Sequence, residues 1–307
     1  MAFCDHLWCF HTEERKGGSG VDKMMEMFLH PANYSISLNL AVLLVIGLYL
    51  VFTGPLRKRF PDSEPPSIRQ LSYFLTAALI FYFSLGSPME MIGHELFSIH
   101  MVQMSLLFIV MPPFLLMGLP GWMVAPVFRL KGVGNLAKVL VHPVFATFFF
   151  NGMIWLYHLP WVFDRLMEVP ALHTGARALL LIGGVAMWFS VLCPVPEMDK
   201  MSELKKMGYL YANGMLLTPA CIMIAFSDTP FFALFHEQSQ MFPILTPLHD
   251  QQLGGVLMKI IQEIVYVGVI VYIFFFQWVR KEREKDRLEA EESAGNHPVS
   301  QPVSESL

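Results

Sequence analysis

The chain has 307 residues, of which 54% are hydrophobic and 15% are charged, and its formal net charge is -4. Soluble domains carry about 25% charged residues, so this composition excludes an ordinary soluble globular protein. The slightly acidic balance gives no reason to expect nucleic acid as a partner. The four cysteines form no CxxC pair, which argues against a disulfide framework or a thiolate zinc site.

Long apolar runs alternate with short charged segments along most of the chain. A helix needs about 20 apolar residues to cross a hydrocarbon layer of about 30 Å, and each run is close to that length. The spans must be helical because an unpaired peptide group is costly in lipid. The fold class is therefore all-α, a polytopic bundle of seven transmembrane helices embedded in the lipid bilayer. In chain order, the predicted spans are residues 36–53, 70–86, 96–117, 139–158, 177–195, 208–227 and 254–279.

The Lys and Arg residues predict the orientation of this bundle. Of the 21, 15 lie in segments 54–69, 118–138 and 196–207 and in the tail that starts at Arg280. These four segments all fall on one side of the seven-span arrangement. Because cytoplasmic loops are rich in Lys and Arg, we expect the C-terminus in the cytoplasm and the N-terminus outside.

The composition divides the chain into three parts. They are an N-terminal extracytoplasmic segment at 1–35, the seven-helix domain at 36–279, and a charged cytoplasmic tail at 280–307 that we expect to be disordered. Residues 1–23 look unlike the rest and are a candidate for a mis-assigned start. The stretch Lys16-Gly17-Gly18 is what a purine-rich ribosome-binding sequence would encode if it were translated. No cleavable signal peptide is visible.

Histidines gather at one end of the predicted bundle. Of the seven histidines between residues 36 and 279, only His142 falls at the cytoplasmic end, where it begins the fourth span. Random placement would rarely give that division. A single helix-end histidine is more often structural than functional, so it is the joint placement that favours a functional site. The histidines of the outer end are His94, His100, His158, His173, His236 and His249.

Methionines accompany these histidines. His100 and Met104 are four residues apart and share a helix face, and the preceding loop could bring His94 to the same corner. Imidazole and thioether ligands together suit Cu(I) among the common biological metals. The candidate metal ligands are His94, His100, Met101, Met104, His158, His173, His249 and Asp250.

The last predicted span carries two charges, Lys259 and Glu263, four residues apart. A charge inside a membrane is a functional hypothesis by default. The alternative is a mutual ion pair, or Lys259 extending outward to the interface, and we slightly favour this alternative.

The sequence resembles the bacterial cytochrome c oxidase assembly factors called CtaG, of the seven-helix type associated with caa-type oxidases. Each matching stretch is weak alone, but six in the right order on the right topology are specific, and they cover most of the membrane part. The stretches are Phe52-Thr53-Gly54-Pro55-Leu56-Arg57, His100-Met101-Val102-Gln103-Met104 running into Pro112-Pro113 and Gly118-Leu119-Pro120, His142-Pro143, Trp155-Leu156-Tyr157-His158-Leu159-Pro160, His173, and Asp250-Gln251-Gln252-Leu253-Gly254-Gly255.

Three positions depart from the pattern of this family. Many relatives have a histidine where Met104 stands, and many have one where Arg177 stands, four residues after His173. An aromatic residue is usual near Lys259. Met104 can still ligate Cu(I), whereas Arg177 weakens the expectation that the fifth span supplies a pair of ligands.

The resemblance implies a role in maturing a haem–copper oxidase by helping Cu(I) reach oxidase subunits at the outer face of the bacterial cytoplasmic membrane. Such transfer would work by ligand exchange, and no enzyme activity is expected because we see no nucleophile–base arrangement, phosphate loop or paired carboxylates.

Three alternatives remain at this stage. One is a membrane scaffold that acts only by protein contacts with oxidase subunits. Another is a haem-binding membrane redox protein, in which histidines face each other across helices. The third, a receptor or retinal protein, is disfavoured because Lys259 lies too near the outer end and the third span has no carboxylate counter-ion.

Overall fold

The computed structural model describes residues 20–60, 63–238, 242 and 244–295, and this part of the chain is helical, without a strand. The predicted all-α class is confirmed. In chain order the helices are α1 (Gly20–Leu29), α2 (Ile36–Thr53), α3 (Ile68–Gly86), α4 (Met89–Glu95), α5 (Phe97–Ser105), α6 (Met111–Gly118), α7 (Gly121–Val124), α8 (Val133–Leu140), α9 (Pro143–Tyr157), α10 (Pro160–Glu168), α11 (Pro170–Phe189), α12 (Glu203–Ala225), α13 (Ala233–Gln238), α14 (Pro247–Tyr272) and α15 (Val279–Gly295).

Six helical stretches of the described chain are long and apolar enough to cross a membrane. They are α2, α3, the continuous stretch of α5 and α6, α11, α12, and the stretch that begins with α14. A seventh span is obtained if α8 and α9 are counted together. These counts agree with a multi-pass membrane protein of the predicted kind.

The fourth predicted span, 139–158, is bent. Helices α8 and α9 meet at 77°, and His142 is the residue immediately before α9. Pro143 is the first residue of α9, where its missing N–H costs no hydrogen bond and its ring fits the helix. The sequence therefore predicted the start of α9 at His142-Pro143 but not the sharp turn before it.

The stretch from Phe97 to Gly118 forms the centre of the bundle. Two thirds of its apolar window is buried, more than in any of the other spans. A π-helical turn over Leu106–Val110 precedes Pro112 and Pro113, and the helix continues through both prolines to Gly118. A wider turn at this point accommodates residues that lack a backbone N–H.

Close helix contacts hold α14 in place on both sides. An added Cβ at Gly255 would lie 2.8 Å from the backbone nitrogen of Ala225 in α12. An added Cβ at Gly254 would lie 2.7 Å from the ring of Phe97 and 3.0 Å from Met101, both in α5. Small residues of this kind let membrane helices approach each other closely.

The two ends of the chain are described in part. Helix α15 reaches Gly295, so residues 280–295 of the tail that we expected to be disordered are helical. Charged residues four apart, Lys285 with Glu289 and Arg287 with Glu291, stabilise this helix. Residues 1–19, with the candidate start, and residues 296–307 lie outside the described part. The orientation of the termini stays a prediction.

Candidate functional site

Three of the predicted ligands meet around one tyrosine, and a fourth contacts one of these three. The ring of His100 stacks on Tyr157 with a centroid distance of 6.0 Å, and the ring of His158 lies 5.2 Å from it. The Nε2 atom of His173 lies 3.1 Å from the Tyr157 hydroxyl, and the ring of His94 lies 5.6 Å from that of His173. We call His94, His100, His158 and His173 the histidine cluster.

Helix ends position these side chains. His94 lies in the last turn of α4, His100 follows a chain turn at Leu96, His158 caps the C-terminus of α9, and His173 lies in the first turn of α11. The short helix α10 connects α9 to α11 and folds back, so the end of one and the start of the other meet. All four histidines thus lie at one end of the bundle, which agrees with the sequence-based grouping.

Two imidazole nitrogens of the cluster are buried and make no hydrogen bond, namely Nε2 of His100 and Nε2 of His158. The Nδ1 atom of His158 lies 2.8 Å from the carbonyl oxygen of Ile154. A carbonyl can only accept, so Nδ1 carries the proton and Nε2 of the neutral ring keeps a free lone pair. Histidines that bind metals commonly donate their other N–H in this way.

Phenylalanines surround these two nitrogens. The ring of Phe163 contacts His100 edge-on at 5.4 Å and lies 6.5 Å from that of His158. Phe232 lies 4.6 Å from both Phe163 and Phe97, and all three phenylalanines are fully buried. These rings offer no hydrogen-bond donor or acceptor, so the two nitrogens lack a protein partner, although buried polar atoms normally have one.

One histidine of the cluster is half-buried, and the other three are buried. The side chain of His94 is 40% exposed. His173 is 7% exposed, and His100 and His158 are each 1% exposed. Together with Tyr157, which lies between His173 and the other two buried imidazoles, the cluster extends from the surface of the protein to its interior.

A partly buried ion pair borders the cluster. The guanidinium of Arg177, one turn after His173, contacts both carboxylate oxygens of Glu90 at 2.7 and 3.1 Å. The side-chain amide of Gln103 donates to Glu90 as well, and to the carbonyl oxygen of Ser84 at 2.7 Å. Sequence reasoning missed this network, because Glu90 and Arg177 are far apart in the chain. The only signal was Arg177 itself, which stands where the family resemblance leads us to expect histidine.

The charge on Glu90 is strongly stabilised. Burial alone would raise the pKa of its carboxyl, but the contact with His94 and the adjacent Arg177 outweigh burial and lower the pKa to about 2. The Nε2 atom of His94 lies 3.5 Å from the same carboxylate. Glu90 therefore orients the outermost imidazole of the cluster and the arginine beside it.

Asp250 accepts hydrogen bonds from the backbone of a neighbouring helix. Its oxygens accept from the Phe97 N–H at 2.6 Å, from the Ser98 N–H at 3.3 Å and from the Ser98 hydroxyl. A carboxylate in this place caps the free N–H groups of α5 and complements its dipole. Asp250 thus holds α5, and with it His100, against α14.

The remaining predicted ligands lie apart from the ring contacts of the cluster. His249 is exposed and contacts the Thr246 hydroxyl at 2.9 Å. Met101 packs against α14 at Gly254, and Met104 is buried one turn after His100. The side chain of His236 lies outside the described residues.

Within the described ranges, no three His, Cys, Asp or Glu side chains are arranged to hold one ion. A soft metal at the cluster would therefore rest on two imidazoles and on a ligand of another kind, such as the thioether of Met104.

Comparisons with known proteins identify the family of this chain. The family described as cytochrome c oxidase caa3 assembly factor (Caa3_CtaG) matches residues 47–281. The chain is 23% identical over 257 residues to uncharacterised proteins of Mycobacterium bovis and Mycobacterium tuberculosis, which covers 79% of this chain and 38% of each relative. The chain thus spans about two fifths of the length of these curated relatives. No solved structure matches it significantly. Since the family match extends over most of the chain, the protein belongs to the cytochrome c oxidase caa3 assembly factors.

Proposed function

We propose that the protein holds Cu(I) in the histidine cluster and passes it to a subunit of a caa3-type oxidase at the outer face of the bacterial cytoplasmic membrane. The observation that carries this proposal is the pair of buried, unbonded Nε2 atoms of His100 and His158. Leaving two such atoms without partners is costly unless something else binds them. The lone pair on Nε2 of His158, and that on Nε2 of His100 when its proton lies on Nδ1, suit a soft cation in these apolar surroundings.

The transfer would proceed by ligand exchange, with copper as the cargo. The half-buried ring of His94, with the buried ring of His173 behind it, offers ligands to an ion that arrives at the surface. His100 and His158, with Met104 one turn away, offer a drier place to hold it. An incoming ligand of the oxidase subunit would then replace these ligands one by one, so no covalent bond and no electron transfer is needed.

The test is a Cu(I)-binding measurement on the purified protein in detergent, under anaerobic reducing conditions, by competition with a chromophoric Cu(I) chelator. We expect the wild type to withdraw Cu(I) from the chelator and the double variant His100→Ala, His158→Ala to lose this ability at least tenfold, since two ligands are removed. The matched control is His142→Ala, at the opposite end of α9, which should bind as the wild type does. Unchanged binding by a folded double variant would contradict the proposal.

A second candidate is a scaffold that assists the oxidase through protein contacts alone. It is favoured by the finding that no group of three His, Cys, Asp or Glu ligands occurs in the described part of the chain. The scaffold predicts that the His100→Ala, His158→Ala variant supports oxidase assembly as well as the wild type does. The copper proposal predicts that it does not.

A further inference from the structure

Helix α14 carries a carboxylate deep in the membrane. Along the helix, Glu263 lies roughly 20 Å from Asp250 near one end and roughly 25 Å from Arg280 beyond the other. The hydrocarbon core is about 30 Å thick, so Glu263 lies close to its middle. A glutamate side chain is too short to reach either interface from there.

The neighbouring lysine is fully engaged inside the bundle. The Nζ atom of Lys259 lies 2.5 Å from Glu263 Oε1, 2.7 Å from the Thr218 hydroxyl and 2.9 Å from Gln262 Oε1. Of the two arrangements favoured on sequence grounds, an ion pair or an outward-extending Lys259, the structure shows the ion pair. It neutralises both charges and joins α14 to Thr218 of α12.

Glu263 itself is not enclosed. Its side chain is 48% exposed, almost twice the exposed fraction of Lys259, and it makes no further hydrogen bond among the described residues. One face of its carboxylate would therefore meet lipid, which offers no hydrogen-bond donor. Charged groups in membrane helices almost always face protein or a water-filled cavity.

The surface around Glu263 has the form of a helix-docking face. Exposed apolar residues recur at three- and four-residue intervals on the same side of α14, and an added Cβ at Gly268 meets nothing within 4 Å. A small residue on an open face allows the backbone of another helix to come close. We call this surface the α14 stripe, which consists of Val256, Ile260, Glu263, Ile264, Val267, Gly268 and Val271.

We propose that the α14 stripe docks a transmembrane helix of an oxidase subunit, and that this helix presents a hydroxyl, amide or ammonium donor to Glu263. The identity of the partner rests on the proposed function. A second copy of this chain fits less well, because a two-fold axis along the stripe would place two Glu263 carboxylates against each other, and an ionised carboxylate accepts hydrogen bonds but donates none.

Docking there would also bring the partner to the histidine cluster. Asp250, in the first turn of α14, caps the start of α5, which carries His100. One end of a helix that lies along α14 would therefore be close to the N-terminus of α5. The same contact that covers Glu263 would place the copper-accepting part of the subunit near the donor ligands.

The experiment is site-specific photo-crosslinking in cells that make the oxidase, with a photoreactive residue in place of Ile264. The matched control has the same residue in place of Leu44 of α2, which is 63% exposed against 67% for Ile264. We expect an adduct with an oxidase subunit, detected by an epitope tag on that subunit, from position 264 and not from position 44.

Two variants in the position-264 background test the role of the carboxylate. Glu263→Gln keeps an oxygen that accepts a hydrogen bond, so its adduct should remain. The double variant Lys259→Leu, Glu263→Leu removes both charges and inserts well into lipid, yet its adduct should fall about tenfold because the acceptor is lost. An unchanged adduct in this double variant, equal adducts from both positions, or an adduct only with a second copy would overturn the proposal.

The outcome separates this proposal from the one on which it rests. If the oxidase needs this gene but position 264 yields no oxidase adduct, the docking surface is wrong and the assembly role stands. If the oxidase forms normally in a strain without the gene, the assembly role fails, whatever the crosslinking shows.

Discussion

His100 and His158 are set apart from the other predicted ligands by what surrounds them. Their common end of the bundle could be predicted, because the charge pattern assigns each helix end to a side. The tyrosine between them and the phenylalanine wall could not, because Phe97, Tyr157 and Phe163 are brought together only by the packing of three helices. Nothing in the residue types alone shows which ring nitrogens will be left without a partner.

For Asp250, the sequence suggested a metal-ligand role and the structure shows a different one. The sequence places it beside His249 at the outer end and so among the candidate ligands, but the structure engages its oxygens with the backbone of Phe97 and the backbone and hydroxyl of Ser98. Capping between helices distant in sequence leaves no local pattern. A ligand role for Asp250 would have to compete with these donors.

Glu90 gives a prediction on pH. Its carboxyl has a pKa of about 2 instead of 4.5, so the folded state binds its proton less readily than the unfolded state does. The resulting stability, at most about 3 kcal/mol, is fully present above pH 4.5 and is lost as the pH falls towards 2. We expect Glu90→Gln to lower Tm near neutral pH and to flatten its decline below pH 4.5.

The measurement is thermal unfolding in detergent across this pH range. The control is Glu168→Gln, which removes an exposed partner of Arg165 and should leave the Tm profile nearly unchanged. A Glu90→Gln profile parallel to that of the wild type would show that the pair with Arg177 does not contribute in this way.

At the scale of helices, the positions of spans follow from the sequence more directly than their shapes. Apolar length predicted each crossing, and Pro143 marked the start of α9, but the bend of 77° before it depends on how α8 packs. The closeness of α12 and α14 also has only a faint signal, the Gly254-Gly255 pair. The structure explains this pair, because the backbone of Ala225 in α12 leaves no room for a side chain at Gly255.

The packing of these helices gives a second prediction. An added Cβ at Gly255 would lie 2.8 Å from the nitrogen of Ala225 and 2.9 Å from the carbonyl oxygen of Cys221, both backbone atoms that cannot rotate away. We expect Gly255→Ala to destabilise the protein by about 1–3 kcal/mol through overpacking. Thermal unfolding in detergent measures the effect.

The matched control lies on the opposing helix. An added Cβ at Gly208 of α12 meets nothing within 4 Å, so Gly208→Ala should be neutral or stabilising by up to about 1 kcal/mol. Equal Tm values for the two variants would show that α12 and α14 are not in close contact at Gly255.

At the scale of the whole molecule, α14 connects two surfaces of the bundle. The histidine cluster lies at one end, and the α14 stripe runs along the side of the helix whose first turn holds α5 in place. The sequence predicted the first surface through the joint placement of histidines. It placed Lys259 and Glu263 in a membrane span, but which of the two faces lipid depended on the packing of α14 against α12.

The copper content of the caa3-type oxidase shows whether copper reaches it through the histidine cluster. The oxidase would be purified from a strain that lacks this gene and carries either the wild-type copy, the His100→Ala, His158→Ala copy or the His142→Ala control, all at equal membrane levels. Copper per haem should be full with the wild type and with His142→Ala and well below full with the double variant. Full copper content with the double variant would contradict copper transfer through the histidine cluster.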